Sequence, residues 1–132
     1  MLRISLLGVL TAVAAMAAGP ATFNKDVLPI LQKNCQVCHR PGEVAPMSFL
    51  TYEDARPWAK AMKNAVLTKK MPPWFADNRF GHFSNNRQLS DTEVKALSEW
   101  ADNGAPEGEA KDRPKAIAFR EGWNIRELLQ RS

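Results

Sequence analysis

The chain has 132 residues, of which 45% are apolar and 24% are charged, a composition typical of one small globular domain. Its net charge of +4 is too small and too dispersed for a dedicated nucleic-acid-binding protein, which concentrates basic residues on one surface. Two cysteines are too few for a disulfide-rich scaffold or a four-thiolate metal site. The fold therefore needs another source of stability.

The first segment has the three parts of a secretory signal peptide. Arg3 supplies a positive charge, an apolar run follows over residues 4–18, and small residues close it. We expect a signal peptide over residues 1–17, with cleavage near Ala17 or Ala18, and a soluble, exported, periplasmic protein. The apolar run is shorter than the roughly 20 residues of a spanning helix. No transmembrane segment is therefore expected after cleavage, and an uncleaved anchor is the alternative.

Apolar residues from Phe23 onward recur at helical spacing and predict a short helix up to Cys35. Asn24 is a candidate cap for this helix, and Pro29 restricts its first turns. The following stretch, residues 40–48, contains two prolines and a glycine and predicts a turn-rich loop.

A main helix is predicted from Pro57 to Lys69, after a weak capping-box pattern that begins at Thr51. Its apolar face consists of Trp58, Ala61, Met62, Ala65 and Val66. The two prolines after Met71 must end the helix because they donate no backbone hydrogen bond. A long loop to about Leu89 follows.

A full capping box, Ser90 to Glu93, predicts the last helix, and Gly104 suits a left-handed cap beyond its end. The apolar face of this helix consists of Val94, Leu97, Trp100 and Ala101. No segment alternates with period two, so the predicted fold class is all-α. We place the domain at residues 18–108, and a charged linker with a short apolar tail at residues 109–132.

The motif that indicates chemistry is Cys-x-x-Cys-His at residues 35–39, the pattern of covalent c-type haem attachment. Thiols about one helical turn apart, Cys35 and Cys38, can form thioethers with the two vinyl groups along one side of a porphyrin. The adjacent His39 places an imidazole beneath the iron as proximal ligand. One haem c would also supply the large apolar centre that so small a chain lacks.

Two other interpretations of the motif compete. A Cys35–Cys38 disulfide or redox-active pair suits an exported protein, but redox pairs of this spacing accompany a βαβ pattern that the sequence lacks. A zinc site would combine both thiols with His39 or His82, yet consecutive Cys38 and His39 are awkward joint ligands.

Three features together resemble the class I c-type cytochrome family over residues 23–108. They are the Cys-x-x-Cys-His motif after a short helix, Met71-Pro72-Pro73 after a middle helix, and a last helix that ends Trp100-Ala101-Asp102-Asn103-Gly104-Ala105-Pro106. The resemblance implies a small all-α, cytochrome c-like domain of three to four helices wrapped around one covalently bound haem.

Two shorter segments narrow the resemblance. They are Pro41-Gly42-Glu43-Val44-Ala45-Pro46-Met47 and Gly81-His82-Phe83-Ser84-Asn85, and they look like exported bacterial cytochrome domains that often precede a copper-dependent, ascorbate-type monooxygenase domain. The 132 residues do not contain such a domain, so the expectation is a stand-alone or truncated member, to which no monooxygenase activity is carried over.

Met71 is the predicted distal iron ligand. It follows His39 by 32 residues, which allows the intervening helix to lead the chain to the other face of the iron, and it matches the Met-Pro position of the family. His82 is the alternative ligand, and Met71 as an ordinary core residue is a further one. Met47 is too near His39 to cross, and Met62 belongs to a helix face.

For the contacts around the haem, the sequence indicates candidates but no single residue. The free ring nitrogen of His39 should donate to a carbonyl of the loop that holds Pro41 and Pro46. Candidate donors to the haem propionates are Trp58, Trp74, Arg79 and Arg87.

With both axial positions filled by protein, the iron has no open site, so the prediction is a periplasmic electron carrier rather than an enzyme. Lys69 and Lys70, with Lys60 and Lys63 on the preceding helix, favour acidic redox partner proteins. One alternative is a five-coordinate or labile-ligand haem sensor or peroxidase-like protein, in which His82 would act. Another is a haem subunit of a larger redox complex, attached through its apolar tail.

Overall fold

The structure is a computed structural model that describes residues 19–119. The predicted signal peptide and the end of the predicted tail lie outside these described residues. Between residues 19 and 119 the chain forms helices and loops and no strand, which confirms the all-α class. The α-helices of this part are α1 (Leu28–Asn34), α2 (Tyr52–Ala55), α3 (Ala59–Leu67) and α4 (Asp91–Asp102).

The first helix begins as a π-helical turn, Phe23–Val27, which continues directly into α1. Pro29 lies in the first turn of α1, where it has no N–H to donate, and the backbone N–H of Leu28 bonds Phe23 O five residues back. The predicted capping role of Asn24 is wrong. Thr22 occupies the cap position, and Asn24 is buried inside the turn.

The predicted start and end of the main helix are also wrong. The Thr51 hydroxyl accepts from the backbone N–H of Asp54, as a capping residue does, so helical structure already begins with α2. Pro57 then lies in a 3-10 turn between α2 and α3 rather than at a helix start. The helix ends at Leu67, before Lys69, which has a positive φ of 55°.

Helix α4 forms as predicted. Ser90 and Glu93 make the complete capping box, and Leu97 and Trp100 are buried in the core. Gly104 follows the helix with a φ of 82°, a backbone conformation that favours glycine. The core that α4 shares with the first helix includes Phe23, Val27, Leu31, Leu97, Trp100 and Ala101.

The chain after α4 returns alongside the first helix. Phe23 N donates to Pro106 O at 2.9 Å, and Asn24 N donates to Glu107 O at the same distance. Gly108 follows with a φ of 83°, and a Cβ there would lie 2.6 Å from the Thr22 side chain. A glycine is therefore required where the two segments meet.

Residues 110–119, which we term the C-terminal strap, lie against the first helix. The side-chain amide of Gln32 donates to Lys115 O at 2.9 Å, and Arg113 Nε donates to Asn24 Oδ1 at 3.0 Å. None of the helices within residues 19–119 is long and apolar enough to cross a bilayer.

Candidate functional site at the Cys-x-x-Cys-His turn

A cavity of about 740 Å³ lies beside the Cys-x-x-Cys-His turn. Its volume falls in the range of sites for cofactors and other small ligands, about 300–1,000 Å³. The walls are largely apolar and come from five parts of the chain: residues 34–39, residues 44–49, Trp58 with the face of α3, Met71–Pro73, and Arg87. The cavity therefore brings together parts of the chain that are far apart in sequence.

The predicted apolar face of the main helix forms one wall of this cavity. Met62 and Val66 are buried, whereas Trp58 is 41% exposed and Ala61 is also exposed. All of them line the cavity, together with Ala65. The predicted apolar face therefore borders a ligand-sized space instead of packing entirely into the core.

The turn that bears the two cysteines is fixed by the end of α1. The N–H groups of Cys35 and Gln36 donate to Leu31 O, and those of Cys38 and His39 donate to Cys35 O, at 2.8–3.1 Å. These turn hydrogen bonds follow directly on α1, and Cys35, Cys38 and His39 all line the same cavity.

The His39 ring is oriented from two sides. Its Nδ1 lies 3.3 Å from Met47 O, and the ring stacks on Phe49 with 4.3 Å between centroids and 10° between planes. The tautomer that donates from Nδ1 to Met47 leaves Nε2 free to bind a metal. Burial lowers the pKa of His39, against the opposing effect of the Met47 hydrogen bond. The imidazole is therefore neutral at neutral pH.

The Cys35 thiol is unsuited to redox exchange. Burial raises its pKa to about 12, and the charge of Glu93 and the neighbouring Cys38 add to the effect. A thiolate is the reactive form of cysteine, and reactive cysteines have lowered pKa values. Both cysteines are unpaired in the structure.

Met71 lies at the wall of the cavity, and its segment is held through the backbone. Its side chain lines the cavity and is 45% exposed, and its backbone N–H donates to Ala65 O at 3.2 Å. Lys70 N donates to the same carbonyl at 2.9 Å. These bonds to the end of α3 determine where the methionine segment leaves the helix.

His82 is placed differently. It is exposed in the long loop and is not among the residues that line the cavity. Within the described residues, no three side chains of Cys, His, Asp or Glu come together as a metal site. The structure thus brings Cys35, Cys38, His39 and Met71 to one cavity and leaves His82 away from its walls.

The predicted propionate donors divide into two groups. Trp58 and Arg87 line the cavity. Arg79 is exposed and bonded to Asp77, whose pKa its guanidinium lowers. Trp74 packs edge-on against Phe83 with centroids 5.7 Å apart, and its Nε1 is buried without a hydrogen-bond partner among the described residues.

Three contacts of the site were not predicted from the sequence. Phe49 stacks on His39 and accepts, through its carbonyl, a bond of 2.9 Å from the buried side chain of Gln36. Arg40 bonds the turn itself. No local sequence pattern identifies Gln36 or Arg40 as contacts of the site. The one available signal is Phe49, an aromatic residue directly after the turn-rich loop.

Comparisons of the chain with protein-family models, with curated proteins and with solved structures find no match.

Proposed function

We propose that this chain is an exported mono-haem c-type cytochrome that transfers single electrons between redox proteins. The observation that supports it is the convergence of Cys35, Cys38, His39 and Met71 on one apolar cavity of about 740 Å³. Cys35 and Cys38 would hold the porphyrin through thioethers, and His39 and Met71 would ligate the iron. The haem, when bound, would supply a one-electron couple between ferric and ferrous iron.

The cavity fits such a group in both volume and chemistry. Its walls are aliphatic and aromatic side chains, which suit the faces of a porphyrin, and His39 is held with one ring nitrogen free. Trp58 and Arg87 at the cavity and the unpaired indole N–H of Trp74 are donors of the kind that haem carboxylates need.

The role of the protein is to fix the ligands and exclude water. His39 cannot rotate freely because the Met47 carbonyl and the Phe49 ring hold it. Met62 and Val66 cover the cavity from α3. With both axial ligands supplied by the chain, small molecules have no position at the iron, which favours electron transfer over oxygen chemistry or substrate oxidation.

The partners we propose are redox proteins with acidic surfaces. Lys69 and Lys70 are exposed between α3 and Met71, and Lys60 is exposed on α3 itself. Positive charge beside the cavity would increase the rate of encounter with an acidic partner.

The test is the visible spectrum and the mass of the protein produced in cells with haem-attachment machinery. We expect a mass increase of one haem that survives denaturation, and a reduced spectrum that carbon monoxide leaves unchanged. A chain that gains no covalent haem would contradict the whole proposal. A spectrum that changes with carbon monoxide would instead favour an exchangeable distal position, as in a haem sensor.

A further inference from the structure

Arg40, the residue after His39, bonds the Cys-x-x-Cys-His turn (residues 35–39) through Nη1 and the Glu43 carboxylate through Nη2. Nη1 donates to Gln36 O at 3.0 Å and to Val37 O at 2.6 Å, which are the carbonyls of the two residues between the cysteines. Nη2 pairs with Glu43 Oε1 at 2.6 Å. The Arg40 side chain is 14% exposed and the Glu43 side chain is 41% exposed, so the guanidinium is largely shielded from water and the carboxylate is not.

The C-terminal strap covers the same guanidinium. The ring of Phe119 lies over Arg40, with 4.2 Å from the guanidinium carbon to the ring centroid. The strap is anchored on the first helix by the Gln32–Lys115 and Arg113–Asn24 bonds. Arg40 therefore contacts the turn, the loop at Glu43 and the strap at once.

The Arg40 charge affects both the shape of the Cys-x-x-Cys-His turn and the charge state of a neighbouring group. The fork of hydrogen bonds satisfies carbonyls that the end of a helix leaves without backbone partners, and so holds the turn in shape. Of two charge states of a neighbouring group, the positive guanidinium stabilises the one with less positive charge. The Glu43 carboxylate stabilises the one with more positive charge. Shielding of the guanidinium from water strengthens both of its effects.

We propose that Arg40 is a positioning residue whose charge, held in place by Phe119 of the C-terminal strap, sets the reduction potential of a haem bound at the adjacent turn. This inference rests on the proposed function. It gives the strap a role beyond covering the first helix, because the Phe119 ring covers the guanidinium.

The experiment is a spectroelectrochemical titration of the haem-loaded Arg40→Gln and Glu43→Gln variants. Arg40→Gln leaves the carboxylate unbalanced, and we expect it to shift the one-electron equilibrium toward the oxidised form by about tenfold, or about 59 mV. Glu43→Gln leaves the guanidinium unbalanced and should shift the equilibrium the other way. Opposite shifts are the signature of charge, since a purely structural role would lower thermal stability in both variants without separating their potentials.

The contribution of the strap is tested with Phe119→Ala against Ile117→Ala, a second apolar residue of the same strap. Water reaches the guanidinium once the Phe119 ring is removed and screens its charge, so we expect a shift in the direction of Arg40→Gln of about threefold. Ile117→Ala should leave the potential unchanged. Where Arg40→Gln fails to retain haem, Glu43→Gln and Phe119→Ala decide the question.

Equal potentials in the wild type, Glu43→Gln and Phe119→Ala would overturn the inference while leaving the proposed function intact. A wild-type chain that binds no haem would overturn both, so the two failures are distinguishable.

Discussion

The two sides of the cavity differ in how firmly the protein holds them. The attachment side, residues 35–49, is bonded across itself: Ala45 N donates to Cys38 O, Phe49 N donates to His39 O, and Arg40 bonds the turn. The methionine side, residues 69–89, is bonded among near neighbours, as in Phe80 to Asp77. In the proposed haem complex, His39 would therefore bind from a preformed site, whereas Met71 would be brought into place only as the haem organises its loop.

Exposure follows the same division. On the methionine side Phe75 is 98% exposed and Phe80 is 84% exposed, whereas Phe49 on the attachment side is buried. A segment with few buried apolar contacts opens at low free-energy cost. The contrast predicts that changes on the methionine side alter distal ligation, whereas changes to the contacts that hold the attachment side also lower stability.

The largest expected effect is that of Met71→Ala in the haem-loaded protein. Loss of the thioether removes the ligand that favours ferrous iron, so the equilibrium should move toward the oxidised form by more than about tenfold, or about 59 mV. The reduced variant should also bind carbon monoxide. The measurement is a potentiometric titration with spectra before and after the gas.

The control for Met71→Ala is Met47→Leu, which removes a second cavity methionine while retaining the backbone carbonyl that bonds His39. It should leave the potential nearly unchanged. If Met71→Ala is also without effect, and His82→Ala instead shifts the potential and admits carbon monoxide, the distal ligand is His82.

A smaller effect is expected from Glu93→Gln, which tests how α4 supports the end of α1, directly before the attachment side. The Glu93 carboxylate accepts from Ser90 N at 2.8 Å and from Lys33 Nζ at 2.9 Å, so it joins the start of α4 to the end of α1. We expect a loss of about 1 kcal/mol in the free energy of unfolding. Chemical denaturation at pH 7 measures it, and Glu99→Gln, on the exposed face of the same helix, is the control.

The pH dependence of this effect has a definite sign. Burial alone would raise the pKa of Glu93, but hydrogen bonds from Ser90 and Lys33 outweigh it and lower the pKa below 4.5. The stabilisation is therefore complete above pH 4.5 and is lost as the pH falls through the lower pKa of the folded state. Wild type and Glu93→Gln should converge in stability at low pH, and a constant difference would contradict this account.

The smallest effect is expected from replacing Lys69 and Lys70 together by Gln. Both side chains are exposed beside Met71, so fold and potential should change little. The rate of oxidation by a small anionic oxidant should fall about twofold at low salt, and the difference should vanish at high salt. Equal salt dependence for variant and wild type would exclude these lysines as the docking charge.

The parts of the fold that the sequence predicts correctly are those encoded locally. The capping box at Ser90, the glycine at position 104 and the Cys-x-x-Cys-His turn each depend on residues a few positions apart. Pro57 misleads because its fixed φ suits a 3-10 turn inside a helical stretch as well as a helix start. Asn24 misleads because its partner Arg113 lies 89 residues away.

The candidate site divides in the same manner. Cys35, Cys38 and His39 are recognisable because the motif is contiguous, and Met71 because prolines follow it. Phe119 lies 79 positions from Arg40, so no local pattern in the sequence could indicate their contact.

The pairing of residues 23 and 24 with residues 106 and 107 has a mechanical consequence. These bonds join the start of the first helix to the segment after α4. A force applied between residues 19 and 119 would therefore first detach the strap and then act on the Phe23–Pro106 and Asn24–Glu107 hydrogen bonds. Helix α3 makes none of these contacts and bears tension only after both bonds have ruptured, whereas the turn beside the cavity is affected at the first step through the Phe119–Arg40 contact. Forced extension should therefore release the strap and these bonds before α3 unfolds.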